Sequence, residues 1–250
     1  MPDVYQGASN ETAAFIATAP KIGAVALLIR MVTLAGPDND LLIQVIMVLS
    51  ICSMFYGNLV ALVQKDIKRM LGFSSIAHAG YVMIGIITMG QSGFSASIFY
   101  IGGYLIMNLA CFLVICKVSN NGENVTIDDL DGLHQRSPLL ALTLTVGMFA
   151  LAGIPPFVGF MGKFMLLTAA LRQGYLALVI FAAINTAISI YYYLSVVRVT
   201  YTKDPVKRTA VEVDPVTRIV SFALILAIVA MGLAPNKIVE LATTAMKAIL

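Results

Sequence analysis

Long apolar runs broken by short polar connectors dominate the chain. A helix needs roughly 20 apolar residues to cross the hydrocarbon of a bilayer. Reading the runs between breaks predicts spans at 12–35, 41–63, 71–89, 95–117, 138–171, 174–200 and 217–234. The breaks carry turn residues: Gly36-Pro37-Asp38, the stretch from Gly90 to Gly93, and Gly174. The fifth run is too long. Its 34 or so positions would reach about 50 Å against a core of about 30 Å. Its middle reads Ala152-Gly153-Ile154-Pro155-Pro156-Phe157, and paired prolines remove two amide donors and clash with the preceding turn. A discontinuous span is expected, from Pro138 to Gly153 and from Pro156 to about Leu171. Freed backbone at membrane depth is tolerated only beside protein or a water-lined cavity. Residues 237–250 are expected to form a short helix on the outer membrane surface.

Composition agrees. Of 250 residues 59% are hydrophobic and 12% charged, about half the charged fraction of a soluble domain. The fold class is therefore an all-α, polytopic transmembrane bundle of about seven spans. The net charge of +3 is small and its cations are scattered, which argues against nucleic-acid binding. No glycine fingerprint follows a strand-like segment, so no nucleotide or flavin site is expected. Cys52, Cys111 and Cys116 lack metal-site or redox-pair spacing and read as small buried hydrophobes. Met1 is followed by a polar turn, Pro2-Asp3-Val4-Tyr5-Gln6-Gly7-Ala8, so no signal peptide is expected, and the opening in mid-loop reads as an excerpt.

The cations set an orientation. One set of connectors holds Lys65, Lys68, Arg69, Lys117, Arg136, Arg198, Lys203, Lys207, Arg208 and Arg218, and the other Arg30, Arg172, Lys237 and Lys247. The positive-inside rule puts the first set in the cytoplasm, with the N-terminus inside and the C-terminus outside.

Two cations remain, Lys21 and Lys163, inside the spans. Lys21 is about ten residues from either helix end, roughly 15 Å from each surface, too far for its stem to snorkel. A centred lysine costs about 2.5–3.5 kcal/mol on insertion scales, so one that is kept points to use. Lys163 follows the Pro-Pro break by about two turns, with Gly159 and Gly162 leaving room on its face. Outside water the charged and neutral forms of a lysine come close in free energy, so it can take a proton from one water chain and release it to another. His78, in the first third of its span, either relays protons or is a structural histidine. Asn58, Asn108 and Asn185 read as interhelical hydrogen-bond residues. Gly102 and Gly103 read as close-packing positions, and His134, in the acidic loop of Asp128, Asp129 and Asp131, as solvated.

The opening Pro2-Asp3-Val4-Tyr5-Gln6-Gly7-Ala8 and the segment Asp66-Ile67-Lys68-Arg69-Met70-Leu71-Gly72-Phe73-Ser74-Ser75-Ile76-Ala77-His78-Ala79-Gly80-Tyr81 resemble the antiporter-like membrane subunits of respiratory complex I. So does Ala152-Gly153-Ile154-Pro155-Pro156-Phe157-Val158-Gly159-Phe160-Met161-Gly162-Lys163-Phe164. Val4-Tyr5 and the lysine at 163 make the likeness strongest to the subunit N type. The resemblance implies fourteen helices, of which this chain would supply eight to fourteen. Residues 41–200 would be the second of two inverted repeats, and the first repeat would be absent. Lys21, His78 and Lys163 would transfer protons, driven by redox chemistry in partner membrane-arm subunits and beyond. NAD, FMN, iron–sulfur clusters and quinone would lie in those partners, with no cofactor in this chain. The setting would be a bacterial inner membrane and its lipid bilayer. A cation/proton antiporter subunit and a non-conducting scaffold are the rival readings. Pro20 departs from the resemblance, and should bend the helix near Lys21 by leaving the Ile16 carbonyl unpaired.

Overall fold

A computed structural model describes residues 1–36, 39–119, 122–202 and 210–249, with side chains as far as 244. Lys203, Lys207, Arg208 and the side chain of Lys247 lie outside the described residues. The helices are α1 (Pro2–Gly7), α2 (Asn10–Ala35), α3 (Asp40–Ala61), α4 (Ile67–Ile87), α5 (Gln91–Val118), α6 (Leu133–Arg136), α7 (Pro138–Ala152), α8 (Val158–Arg172), α9 (Leu176–Thr202), α10 (Pro215–Leu233) and α11 (Asn236–Ile249). Six of them, α2 to α5, α9 and α10, are long and apolar enough to cross a membrane. Starts are set by side chains that accept from the first free amides: Ser9 from Thr12, Asn39 from Leu42, Asp66 from Arg69 and Asp214 from Thr217. The polar opening is helical rather than a turn, with Pro2 at its first position.

The expected break is present. α7 and α8 have 15 residues each, about 22 Å apiece, so neither spans the hydrocarbon alone. Gly153 ends α7 in the left-handed region at φ +85°, where a residue with a Cβ is strained. Its amide bonds the carbonyls of Phe149 and Ala150. Pro155-Pro156 then carries the chain to the start of α8. Pro20, by contrast, sits within an α2 that continues to Ala35.

α4 and α5 are central and largely enclosed, whereas α2, α3, α9 and α10 bury about a third of their spans or less. Their outer faces carry Leu34, Leu41, Tyr191 and Leu226, as hydrocarbon contact requires. Glycine seams let backbones approach. Gly57 of α3 meets Phe73 and Ala77 of α4, and Gly103 of α5 meets Val158 at the head of α8. Gly102 has nothing within 4 Å of where a Cβ would stand, so only its neighbour serves packing.

The connectors at one end interlock. Ile67 donates to Val125, Ile127 to Lys65, and Val211 to Arg136. Lys117 pairs with Asp214 at 2.6 Å. This end gathers Lys65, Lys68, Arg69, Lys117, Arg136, Arg198 and Arg218, and is called the cationic end below. α1 is tied to it by an Arg69–Asp3 ion pair and by Arg69 donating to Gln6 at 3.0 Å. Lys68 is fully buried, its Nζ donating to the Ala8 carbonyl at 2.9 Å, so it is a clamp between α4 and the α1–α2 turn rather than a loop cation. His134 is half-buried, bonds the Thr200 carbonyl at 2.9 Å and stacks on Tyr201, which corrects its reading as a solvated residue. Cys52 is exposed on α3 and Cys116 half-buried, so only Cys111 is a buried small hydrophobe.

Candidate functional site

Lys21 emerges from the middle of α2 and is half-buried. Its Nζ donates to Ser75 Oγ at 2.7 Å and to the Tyr104 hydroxyl at 2.8 Å. The ammonium lies 4.5 Å from the Tyr104 ring centroid, within the range where a ring face attracts a cation. An apolar cavity of about 350 Å³ opens beside it, walled by Ala24, Val25, Leu28, Val82 and Met83.

Lys163, a turn and a half into α8, is 4% exposed. Its Nζ donates to the carbonyls of Ala152 at 3.1 Å and Leu151 at 3.4 Å. These belong to the last turn of α7, where carbonyls lack intrahelical partners and the helix dipole presents its negative end. The break thus supplies acceptors for the lysine, and the lysine satisfies carbonyls that the break exposes. Gly153 lies against the Lys163 stem, since a Cβ there would stand 3.0 Å from Cδ. On its other side Nζ lies 4.8 Å from the Tyr81 ring.

His78 joins the two. It is buried on α4, with Nδ1 2.7 Å from the Tyr100 hydroxyl and Nε2 3.0 Å from that of Tyr193. A neutral imidazole donates from one nitrogen and accepts at the other, so one tyrosine accepts and the other donates. Tyr193 also bonds Ser74 at 2.5 Å. The His78 ring centroid is 4.8 Å from that of Tyr104 and 6.2 Å from that of Tyr81. A continuous line of contact therefore runs Lys21, Tyr104, His78, Tyr81, Lys163. Tyr81 itself bonds the Ala182 carbonyl at 3.0 Å and Thr186 at 2.8 Å.

All three candidate residues fall on this line, and the tyrosines between them are what sequence reasoning missed. A signal was present. Ser74, His78 and Tyr81 share a face of α4 at i, i+4 and i+7, and Tyr100, Tyr104 and Asn108 share one of α5 at i, i+4 and i+8. The asparagines divide. Asn58 donates to the Asn185 side chain at 3.1 Å and accepts from Tyr192 at 3.0 Å, an α3–α9 crosslink of the expected kind. Asn108 instead donates to Tyr104 within its own helix.

Comparison with known proteins places the chain in a family. The transmembrane model for NADH:quinone oxidoreductase/Mrp antiporter proteins matches residues 1–189. NADH-quinone oxidoreductase subunit N 2 of Opitutus terrae is 53% identical over 249 residues, covering 99% of this chain and 52% of that protein. Among solved structures, respiratory complex I from Thermus thermophilus with bound aureothin contains a chain that superposes with TM-score 0.84 at 33% identity, covering 96% of this chain and 53% of that one. The archaeal membrane-bound sulfane sulfur reductase contains another, with TM-score 0.89 at 25% identity, covering 99% and 51%. The chain spans about half the length of the curated relatives it matches. With a polytopic helical bundle, a helix broken at paired prolines and a match over three-quarters of its length, the chain belongs to the NADH:quinone oxidoreductase/Mrp antiporter transmembrane family.

Proposed function

We propose that this chain moves protons within the membrane arm of an NADH-quinone oxidoreductase, with Lys21, His78 and Lys163 as the transfer groups. The observation that carries the reading is the line Lys21–Tyr104–His78–Tyr81–Lys163, two membrane-embedded lysines joined by a histidine and tyrosines. A proton bound at one lysine repels a charge at the next, so occupancy of Lys21 biases His78 and Lys163 in turn. Along this line Tyr104 gives its hydroxyl to Lys21 and Tyr81 its ring to Lys163, while the imidazole of His78 exchanges hydrogen bonds with the hydroxyls of Tyr100 and Tyr193. Protons take the cationic end as their cytoplasmic side in a bacterial inner membrane, by the positive-inside rule, and leave outward past Lys163.

Moving a charge against the membrane potential costs about 2.3 kcal/mol per 100 mV. That energy comes from partner subunits that hold NAD, FMN, iron–sulfur clusters and quinone. Residues 41–200 act as one repeat of the antiporter-like fold, its broken span placing Lys163. The test is Lys163→Ala in the complete subunit. Proton movement per electron passed to quinone is expected to fall, and an unchanged proton-to-electron ratio would refute the role of Lys163.

A further inference from the structure

Tyr81 stands between His78 and Lys163, yet its hydroxyl makes neither contact. The side chain is buried, with Oη 3.0 Å from the Ala182 carbonyl and 2.8 Å from Thr186 Oγ1. Thr186 Oγ1 in turn lies 3.0 Å from the same carbonyl. A carbonyl only accepts. Whichever hydroxyl donates to the other, the Tyr81 proton therefore ends on α9, at Thr186 or at Ala182. What Tyr81 offers the lysine is its ring, 4.8 Å from Nζ. The other partners of Nζ are the carbonyls of Ala152 and Leu151. Among the described residues no carboxylate pairs with Lys163. An ammonium has three N–H donors and no lone pair, and here it meets two carbonyls and a ring face, each of which accepts. A neutral amine carries a lone pair that none of the three can satisfy.

We propose that the ring face of Tyr81 is the third acceptor of the Lys163 ammonium and holds the transferred proton there, while the Tyr81 hydroxyl only anchors the ring to α9. Tyr81 neither gives nor takes a proton. The N–H bond forms and breaks at Lys163 alone. The cradle is aimed from two sides. The α9 hydrogen bonds fix the hydroxyl end of the ring. At its base Ser50 of α3 donates to the Gly80 carbonyl at 2.7 Å, and a Cβ at Gly80 would stand 2.7 Å from Met54, so α4 cannot turn the ring away. Opposite, Gly153 supports the lysine stem. A cation over a ring face gains more where water is excluded than at an exposed site. For Lys163, buried as it is, that amounts to about tenfold in its occupancy by a proton.

The proposal rests on Lys163 being a proton carrier, and the experiment separates the two. In the intact membrane complex Tyr81→Phe is compared with forms of the same variant whose ring bears one, two or three fluorines. All keep the shape of the ring, and each fluorine draws electron density from its face. All lack the hydroxyl, but Thr186 still donates to the Ala182 carbonyl, so neither loses its only partner. Proton pumping coupled to quinone reduction should stay within about twofold of the unmodified complex in Tyr81→Phe, and then fall stepwise with fluorine to about a tenth. Tyr81→Leu should fall as far, and the fluorinated series carries the test if that variant fails to assemble. A flat or rising series overturns the cradle. So does a loss in Tyr81→Phe as large as in Tyr81→Leu, because the hydroxyl would then be the working group. Normal pumping by Lys163→Ala overturns the carrier role and the cradle with it. Loss of pumping in Lys163→Ala beside a flat series overturns the cradle alone.

Discussion

The two lysines solve the same problem by opposite means. Lys21 hangs from an unbroken stretch of α2 and is held by side chains, the hydroxyls of Ser75 and Tyr104, beside an open cavity. Lys163 is buried and held by backbone, the last carbonyls of a helix that stops short. Side-chain hydroxyls rotate and exchange donor for acceptor roles, whereas helix-end carbonyls only accept. The first site is therefore suited to taking protons in and passing them on. The second stabilises an ammonium in one position, and its proton must leave by another route. Broken helices thus do more than admit water: they present fixed partial charge to a single side chain.

Arginine tests this contrast most strongly. A guanidinium never gives up its proton in a protein, so Lys21→Arg and Lys163→Arg should both end proton transfer. Their effects on folding should differ. At 163 the head is buried against the Leu151 and Ala152 carbonyls and the Tyr81 ring, so a larger one must displace them, and overpacking of this kind costs about 1–3 kcal/mol. At 21 the adjacent cavity accepts it. Thermal unfolding of the purified complex should be lowered by Lys163→Arg and nearly unchanged by Lys21→Arg. Equal midpoints would show that the sites do not differ in this way.

A smaller effect is expected at the break. Gly153→Ala forces a Cβ into the left-handed region, which costs about 1–2 kcal/mol, and pushes it against the Lys163 stem. Gly36 has a similar φ of +82°, and among the described residues nothing lies within 4 Å of where its Cβ would stand. Gly36→Ala should therefore lose stability alone, and Gly153→Ala both stability and pumping. Matching losses of pumping would show that strain, not contact with Lys163, matters.

The smallest effect lies outside the membrane. Hydrogen bonds from Lys117 and Thr217 hold the Asp214 carboxyl well below the usual carboxylate range. A lowered folded-state value means that its contribution is present above the unfolded value of about 3.9 and is lost as pH falls below it. Asp214→Asn should slightly reduce stability at neutral pH and flatten its decline below about pH 4. Pumping at neutral pH should not change. A steeper acid decline in the variant would reverse the assigned sign.

Much of this was legible along the chain alone. The apolar spans, the break and the two lysines kept inside the spans could be read because each rests on local chemistry. Apolar length reports a span, paired prolines stop a helix, and an ionisable group in hydrocarbon is too costly to be idle. Lys68 was misread for an equally physical reason. Near a helix start a lysine usually reaches water, and only the fold of α1 and its turn over α4 encloses it. Cys52 and Gly102 share the opposite error, since an apolar run does not say which face meets lipid and which meets protein.

The sequence by itself determined where the helices run, where one breaks and which charges stay inside, because these follow from transfer energies and backbone sterics along the chain. Tertiary structure decided that Lys21, Tyr104, His78, Tyr81 and Lys163, drawn from four helices, form one line. It also decided that the carbonyls freed at Leu151 and Ala152 meet Lys163. Those contacts depend on the relative rotation and depth of helices, which packing sets and the pattern along any one of them leaves open.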